Sequence, residues 1–183
     1  MSRGKEATLG SGGDRRGQLS KGQRRLNTIL AAIPPAREQM LVAIEEFPPD
    51  FDAGAFLAAA CSANARERNK VAVVERECEV LLNWMHELAA RALAEGQRFG
   101  VVEKTPGHPW ERLAALGVIS RRSATRLQEV KELRDDLAHA YPPAGWKALH
   151  EGVRSLLAEL DHYLDRCVGW LSHEGILGSD AER

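Results

Sequence analysis

The chain has 183 residues, of which 44% are hydrophobic and 5% aromatic, and its formal net charge at pH 7 is −1. This length suits one globular domain, and the abundance of leucine, alanine, glutamate and arginine favours helices over a sheet sandwich. No stretch reaches the roughly 18 apolar residues that a membrane span requires, and the chain does not open with the apolar segment of a secretory signal. We therefore expect an all-α, cytoplasmic protein that makes no membrane contact.

The first 25 residues are basic, whereas the rest of the chain is acidic. Only Glu6 and Asp14 oppose seven basic side chains, which are Arg3, Lys5, Arg15, Arg16, Lys21, Arg24 and Arg25. Such an arm can attract nucleic acid by releasing counterions, but its LGSGG stretch favours a disordered, solubilising leader. We predict a flexible tail over residues 1–20, a folded domain over residues 21–175 and a short second tail over residues 176–183.

The first half of the domain alternates helical periodicity with breaks. Apolar residues recur at helical spacing in QRRLNTILAAI and again in AREQMLVAIEEF, which predicts one helix that is interrupted or restarted at Pro34 and Pro35. After FPPDFD, the segment from Ala53 to Gly96 is helical almost throughout, with a polar interval at ANARERNK where one helix ends or bends. Spacings of four and three then place six side chains on one buried face: Val74, Cys78, Leu81, Met85, Leu88 and Ala92.

The second half predicts three further helices after a loop over residues 96–108. A short helix at WERLAAL ends at Gly117, and the next begins after the N-cap residue Ser120 and buries Leu127, Val130, Leu133 and Leu137. The last helix begins near Pro143 and carries an apolar stripe of Trp146, Leu149, Val153, Leu156, Leu160, Leu164, Cys167 and Leu171. Long amphipathic helices with short connections predict an up-and-down helical bundle.

The cysteines do not indicate a disulfide framework or a metal site. Cys61, Cys78 and Cys167 are odd in number and form no close pair, so each is expected to pack as a small hydrophobic residue. The pairs Cys78 with His86 and His162 with Cys167 are not spaced to place two metal ligands on one helical face. We expect no metal ion and no cofactor.

The remaining histidines and the tryptophans are assigned to structural positions. His108, His150 and His173 are expected at the surface or at helix caps. Trp84, Trp110, Trp146 and Trp170 are expected in the core or at an interface. The alternative at Trp110 is a platform on which an RNA base stacks.

Polar residues concentrate in RDDLAHAY, residues 134–141, just before Pro142 and Pro143. A planar guanidinium binds phosphate oxygens, and an imidazole exchanges a proton near neutral pH, so Arg134 and His139 suit phosphodiester chemistry. In RNA the attacking group can be the substrate's own 2′-hydroxyl, and such cleavage requires neither a metal nor a protein nucleophile. The structural alternative is that these residues stabilise a helix C-terminus, with Arg134 paired to Asp135, Asp136 or a glutamate of the last helix.

Arg134, four further residues, His139, Ala140 and Tyr141 form the pattern R-x4-H-x-Y. This pattern resembles that of HEPN domains, specifically the HepT-like ribonuclease toxins. The flanks strengthen the likeness, because LGVIS at residues 116–120 precedes the motif helix, as in that family, and a further long helix follows. The resemblance covers about residues 35–172 in architecture and is specific over about residues 110–145.

The resemblance implies a homodimer of helical bundles in which the motifs of both subunits face a shared cleft. It implies metal-independent RNA cleavage and a cognate nucleotidyltransferase-type antitoxin that adds AMP to the motif tyrosine. By position, Arg134 would hold the scissile phosphate, His139 would transfer a proton or orient the 2′-hydroxyl, and Asp135 would orient its neighbours. Tyr141 would be the modification target and an RNA contact. Candidate RNA contacts on the same helix are Arg121, Arg122, Arg126 and Lys131.

The residues after the arginine depart from the family pattern. Asparagine is commonest there, whereas this chain has Asp135 followed by Asp136, which makes the cleft more negative than RNA binding favours. An alternative function is therefore a non-catalytic module of the same fold that binds a nucleotide or a partner protein. A third hypothesis is a helical regulator that binds nucleic acid through the basic arm.

Overall fold

Helices account for most of the protein. A computed structural model describes residues 19–137 and 143–177, with their side chains except those of residues 134–137, 143 and 144. The helices in these ranges are α1 (Lys21–Glu45), α2 (Ala53–Ala60), α3 (Ala65–Arg98), α4 (Pro109–Ala115), α5 (Arg121–Leu137) and α6 (Pro143–His173). Neither range contains a strand, so the all-α class is confirmed. Within the same ranges, no helix is both long enough and apolar enough to cross a membrane.

Polar caps determine where the helices begin. The Ser20 hydroxyl accepts a hydrogen bond from the Gln23 backbone N–H at 3.1 Å, and the Gln23 side chain accepts one from the Ser20 N–H at 2.8 Å. At α5, the Ser123 N–H donates to the Ser120 hydroxyl at 2.9 Å. Gly117 follows α4 with φ of +72°, a conformation that favours glycine. The predicted cap at Ser120 and the predicted end at Gly117 are therefore confirmed.

Helix α1 is continuous through both prolines, so the predicted interruption is wrong. Pro34 and Pro35 lack the N–H groups that would bond within the helix, which weakens α1 at its centre. The buried side chains Ile29, Ile33 and Ala36 nevertheless keep helical spacing across the prolines, and α1 packs along α3. Burial of this face against α3 offsets the missing hydrogen bonds.

Helix α3 lies at the centre of the core. It packs against α1, α2, α4, α5 and α6. All six residues predicted for its buried face are fully buried: Val74, Cys78, Leu81, Met85, Leu88 and Ala92. The Tyr163 hydroxyl of α6 donates to the Met85 carbonyl oxygen at 2.7 Å. Burial raises the pKa of Tyr163 well above its ordinary value, so this hydroxyl remains a donor across the physiological range.

An aromatic cluster joins α2 and the loop before it to the first half of α6. The rings of Phe47, Phe51 and Phe56 contact one another edge to face, and the His150 imidazole lies 4.3 Å from the Phe51 ring centre. His150 Nε2 donates to the Phe51 carbonyl oxygen at 2.7 Å. His150 is buried, so its predicted place at the surface or a cap is wrong. The Phe51 carbonyl satisfies the imidazole and permits its burial.

The structure also tests the predictions made for the cysteines and for Trp110. Cys78 and Cys167 are buried as predicted, but Cys61 is exposed at the end of α2, so its predicted packing is wrong. Trp110 is fully buried in α4, which excludes the alternative of a base-stacking platform. The helix that begins at Pro109 turns this indole toward the core, whereas the sequence placed it beside a loop.

Candidate functional site

The R-x4-H-x-Y motif lies at the junction of α5 and α6. Arg134 and Asp135 belong to the last turn of α5, and the structure describes their backbone but not their side chains. His139 and Tyr141 lie in residues 138–142, outside the described residues. Since α5 and α6 pack against each other, the motif lies at one end of this helix pair. The contacts among its side chains remain a prediction.

Close helix packing anchors the backbone that leads to the motif. Val130 of α5 is buried, and Leu149 and Val153 of α6 are fully buried. A methyl group built on Gly152 of α6 would lie 3.4 Å from a Val130 methyl carbon and 3.7 Å from Leu133. A methyl group at this position would thus be in ordinary van der Waals contact with α5, so α5 and α6 pack directly against each other one turn before Arg134.

Cross-helix contacts determine which residues lie on the motif side. Four contacts define the helix directions: Ser123 with Glu159, Val130 with Gly152, Met85 with Tyr163, and Gly96 with Trp170. Helix α5 therefore runs antiparallel to α6, and α3 runs parallel to α6, so α3 and α5 are antiparallel. Glu75, Glu79 and His86 are spaced to share one face of α3. Because the two helices are antiparallel, the direction from His86 to the two glutamates along α3 is the same as the direction along α5 toward Arg134.

A pair of histidines that the sequence did not predict as site residues lies beside α5. His86 of α3 and His108, which precedes α4, are partly exposed, and their ring centres are 5.1 Å apart. Both rings contact the buried indole of Trp110, at 5.6 Å and 5.0 Å between centres. Lys131 of α5 lies close enough to act electrostatically on both imidazoles. Helix α3 and the residue before α4 thus bring two imidazoles together, and a cation of α5 acts on them electrostatically.

The surroundings keep both imidazoles neutral at neutral pH. Burial is the largest cause that lowers the pKa of His86, and His108 and Lys131 lower it further. Burial also lowers the pKa of His108, where Glu111 and Glu132 act in the opposite direction to Lys131. His108 Nδ1 is enclosed and has no hydrogen-bond partner among the described residues.

The predicted RNA contacts point into different environments. Arg126 Nη1 lies 2.6 Å from Glu159 Oε1, so this cation is already paired. The Ser123 hydroxyl donates to Glu159 Oε2 at 2.8 Å, and this bond, with the Arg126 guanidinium, lowers the pKa of Glu159. Arg122 is exposed. RNA binding by these residues stays a prediction, and Arg126 could serve only if it left Glu159.

Arg121 lines a groove between α4 and α5 that is acidic overall. The groove has a volume of about 510 Å³, and Glu111, Glu129 and Glu132 also line it. The carboxylates outnumber the single guanidinium, so this groove favours cations over a phosphate backbone. Glu111 and Glu132 also act on His108, which places the groove next to the histidine pair.

Metal ligands do not cluster in the part of the chain that the structure describes. In residues 19–137 and 143–177, no group of three or more His, Cys, Asp or Glu side chains is arranged to hold a metal ion.

Comparison with known proteins gives no information about the function of this chain. No family model matches the chain, and neither the curated proteins nor the solved structures contain a match.

Proposed function

We propose that this protein is a metal-independent endoribonuclease toxin of the HepT-like kind, which acts as a homodimer of HEPN-type helical bundles. One observation carries the proposal: Arg134, His139 and Tyr141 occur in the R-x4-H-x-Y order at the junction of two packed, antiparallel helices of an all-helical chain. In this arrangement both copies of the junction face a shared cleft, where an RNA strand binds.

The proposed reaction uses the substrate's own hydroxyl group. The 2′-oxygen forms a bond to phosphorus as the bond to the 5′-oxygen breaks, which leaves a 2′,3′-cyclic phosphate and a 5′-hydroxyl. Arg134 stabilises the charge on the phosphate oxygens, and His139 transfers the proton or orients the 2′-hydroxyl. Asp135 orients these neighbours.

A cognate antitoxin of the nucleotidyltransferase type completes the proposed system. It transfers AMP from ATP to the Tyr141 oxygen with release of pyrophosphate, and the added phosphate puts negative charge into the cleft and blocks RNA binding. The mass of the co-expressed chain should therefore increase by one or more AMP units, and Tyr141→Phe should prevent the increase. An unchanged mass after co-expression with the antitoxin would contradict this part of the proposal.

An RNA cleavage assay of the full chain in EDTA tests the nuclease. Arg134→Ala and His139→Ala should each lower the cleavage rate by about 10²–10⁴-fold, since each removes a group that acts in the transition state. Arg154→Ala is a matched control, because Arg154 is an exposed arginine of α6. Circular dichroism should show the same helix content in all variants. Undiminished cleavage by both motif variants would refute the proposal.

The acidic surroundings of α5 favour a second candidate, a non-catalytic module of the same fold that binds a nucleotide or a partner protein. Glu111, Glu129 and Glu132 line the groove beside α5, and Asp135 and Asp136 follow Arg134. Such a module would leave RNA intact with or without EDTA, yet would still form a dimer or a complex with a partner.

A further inference from the structure

We propose that the groove between α1 and α3 binds the same groove of a second copy of the chain. The contact is separate from the shared cleft of the proposed nuclease and does not depend on that function. The groove has a volume of about 730 Å³, and it is lined by the second half of α1, its C-cap residue Glu46 and the first part of α3.

The middle of the groove is apolar and open to solvent. Val42 of α1 is 59% exposed and Val73 of α3 is 48% exposed, the highest values among the large hydrophobic side chains that the structure describes. The two helices are antiparallel, because the first turn of α1 lies against Glu95 and Glu46 pairs with Lys70 at 3.6 Å. Val42 precedes Glu46 by one turn and Val73 follows Lys70 by one turn, so the valines lie side by side. They lose contact with water when an apolar surface covers them.

Opposite charges lie at the two ends of the groove. Along α3, Glu77 is about 6 Å from Val73 in one direction, and Arg66 is about 10.5 Å from it in the other. In the described ranges, neither the Arg66 guanidinium nor the Glu77 carboxylate pairs with another side chain. They cannot pair with each other, since eleven residues of helix separate them by about 16.5 Å. Both charges therefore remain available to a partner.

A two-fold axis that crosses the groove at the level of the valines makes the groove complementary to itself. The second copy then lies antiparallel to the first, so Val42 and Val73 each meet their own counterpart. Glu77 of each copy faces Arg66 of the other copy. Their remaining offset is about 4.5 Å along the helix, which the long arginine side chain can span. One pairing thus covers both valines and forms two ion pairs.

The α3 side of the groove determines this pairing. Its residues recur at intervals of four and three, which places them in one stripe that can pack along an antiparallel copy: Arg66, Lys70, Val73 and Glu77. On the α1 side, the axis brings Glu38 toward Lys70 of the other copy. Lys70 already pairs with Glu46 at 3.6 Å and with Glu67 at 3.2 Å, so this side adds no attraction. The contact is therefore small, and we expect weak association that depends on concentration.

The groove faces away from the histidine pair. His86, which contacts His108 and Trp110, follows Val73 by thirteen residues, so the two side chains point about 140° apart around α3. A second copy in the groove thus leaves α4 and the helix α5 that packs on it uncovered. Association through the groove is therefore additional to the proposed motif dimer.

Sedimentation velocity of the full chain at increasing concentration tests the contact. The wild-type mass should double as the concentration rises, and Val73→Glu should prevent the doubling. Glu77→Arg and Arg66→Glu should each weaken the association at least about tenfold, because each places two pairs of like charges across the axis. Arg76→Glu is the matched control, since Arg76 is an exposed arginine of α3 outside the groove.

An equimolar mixture of the Glu77→Arg and Arg66→Glu variants distinguishes a second copy from any other partner. A mixed pair has an arginine opposite a glutamate at both ends, so the mixture should associate at least about tenfold more tightly than either variant alone. Circular dichroism should show the same helix content in all variants. A mixture that associates as weakly as its components would overturn the proposal, as would single variants that associate like the wild type. Either result leaves the nuclease assay unaffected.

Discussion

At the scale of single residues, the buried carboxylate of Glu95 packs against a glycine of another helix. Glu95 is buried, and its carboxylate lies against Gly22 in the first turn of α1. Its Oε2 atom is 3.4 Å from Arg98 Nη1. A side chain at position 22 would occupy the space of the carboxylate, so the Glu95 side chain would have to move.

Gly22→Ala should therefore lower the free energy of unfolding by roughly 1–3 kcal/mol, because the methyl group displaces the Glu95 carboxylate. Gly169→Ala is the matched control, since Gly169 lies in α6 with open space around it and should gain about 0.5–1 kcal/mol. Urea denaturation measures both changes. Equal stability of the two variants would contradict the packing at Gly22.

Glu159 should make stability depend on pH in the acidic range. The Ser123 hydroxyl, with the Arg126 guanidinium, lowers the pKa of Glu159 from 4.5. A lowered pKa means that Glu159 stabilises the fold above the unfolded pKa and loses this effect as the pH falls through the folded pKa. Glu159→Gln should therefore flatten the decline of unfolding free energy below about pH 4.5, measured by denaturation at several pH values. Parallel profiles would contradict the assignment.

The histidine pair should act in a higher pH range. The pKa values of both His86 and His108 are lowered from 6.5. Unfolding releases the imidazoles to their ordinary pKa, so stability is fully present above about pH 6.5 and declines as the pH falls through the lowered pKa values of the folded state. His86→Gln should reduce the slope of unfolding free energy in this range. His173→Gln should retain the wild-type slope.

At the scale of helices, local spacing predicted most of the secondary structure. The buried stripe of α3 and the N-cap at Ser120 follow from residues within a few positions of one another. The continuity of α1 does not, because Pro34 and Pro35 weaken the helix locally and only its packing along α3 offsets the loss. Sequence patterns therefore identify helices well where local preference and packing agree.

The close contact of α5 and α6 can be tested at Gly152. Gly152→Leu should separate the helices next to Val130 and lower the free energy of unfolding by roughly 1–3 kcal/mol. The change should also reduce RNA cleavage, because the last turn of α5 carries Arg134. Gly169→Leu inserts the same side chain where α6 has open space, so it should have little effect on either measurement. Denaturation and the cleavage assay together measure the result.

For the whole molecule, the proposed shared cleft requires two copies of the chain. The chain has a mass of 20.2 kDa, so light scattering should give about twice this value if the motifs meet across a two-fold axis. A chain that remains a monomer at assay concentration and still cleaves RNA would contradict the shared cleft. The composition cannot determine this, since the same apolar stripe suits a core or an interface.

The sequence by itself determined the all-helical class, most helix bounds and the order of the R-x4-H-x-Y residues. These properties depend on hydrogen bonds and side-chain spacing within one or two helical turns, which the order of residues contains directly. Only the tertiary structure decided that His86 and His108 lie side by side, that Arg126 is paired with Glu159, and that His150 is buried. Each of these depends on how helices distant in the chain pack, because a side chain's charge and exposure are determined by neighbours from other elements.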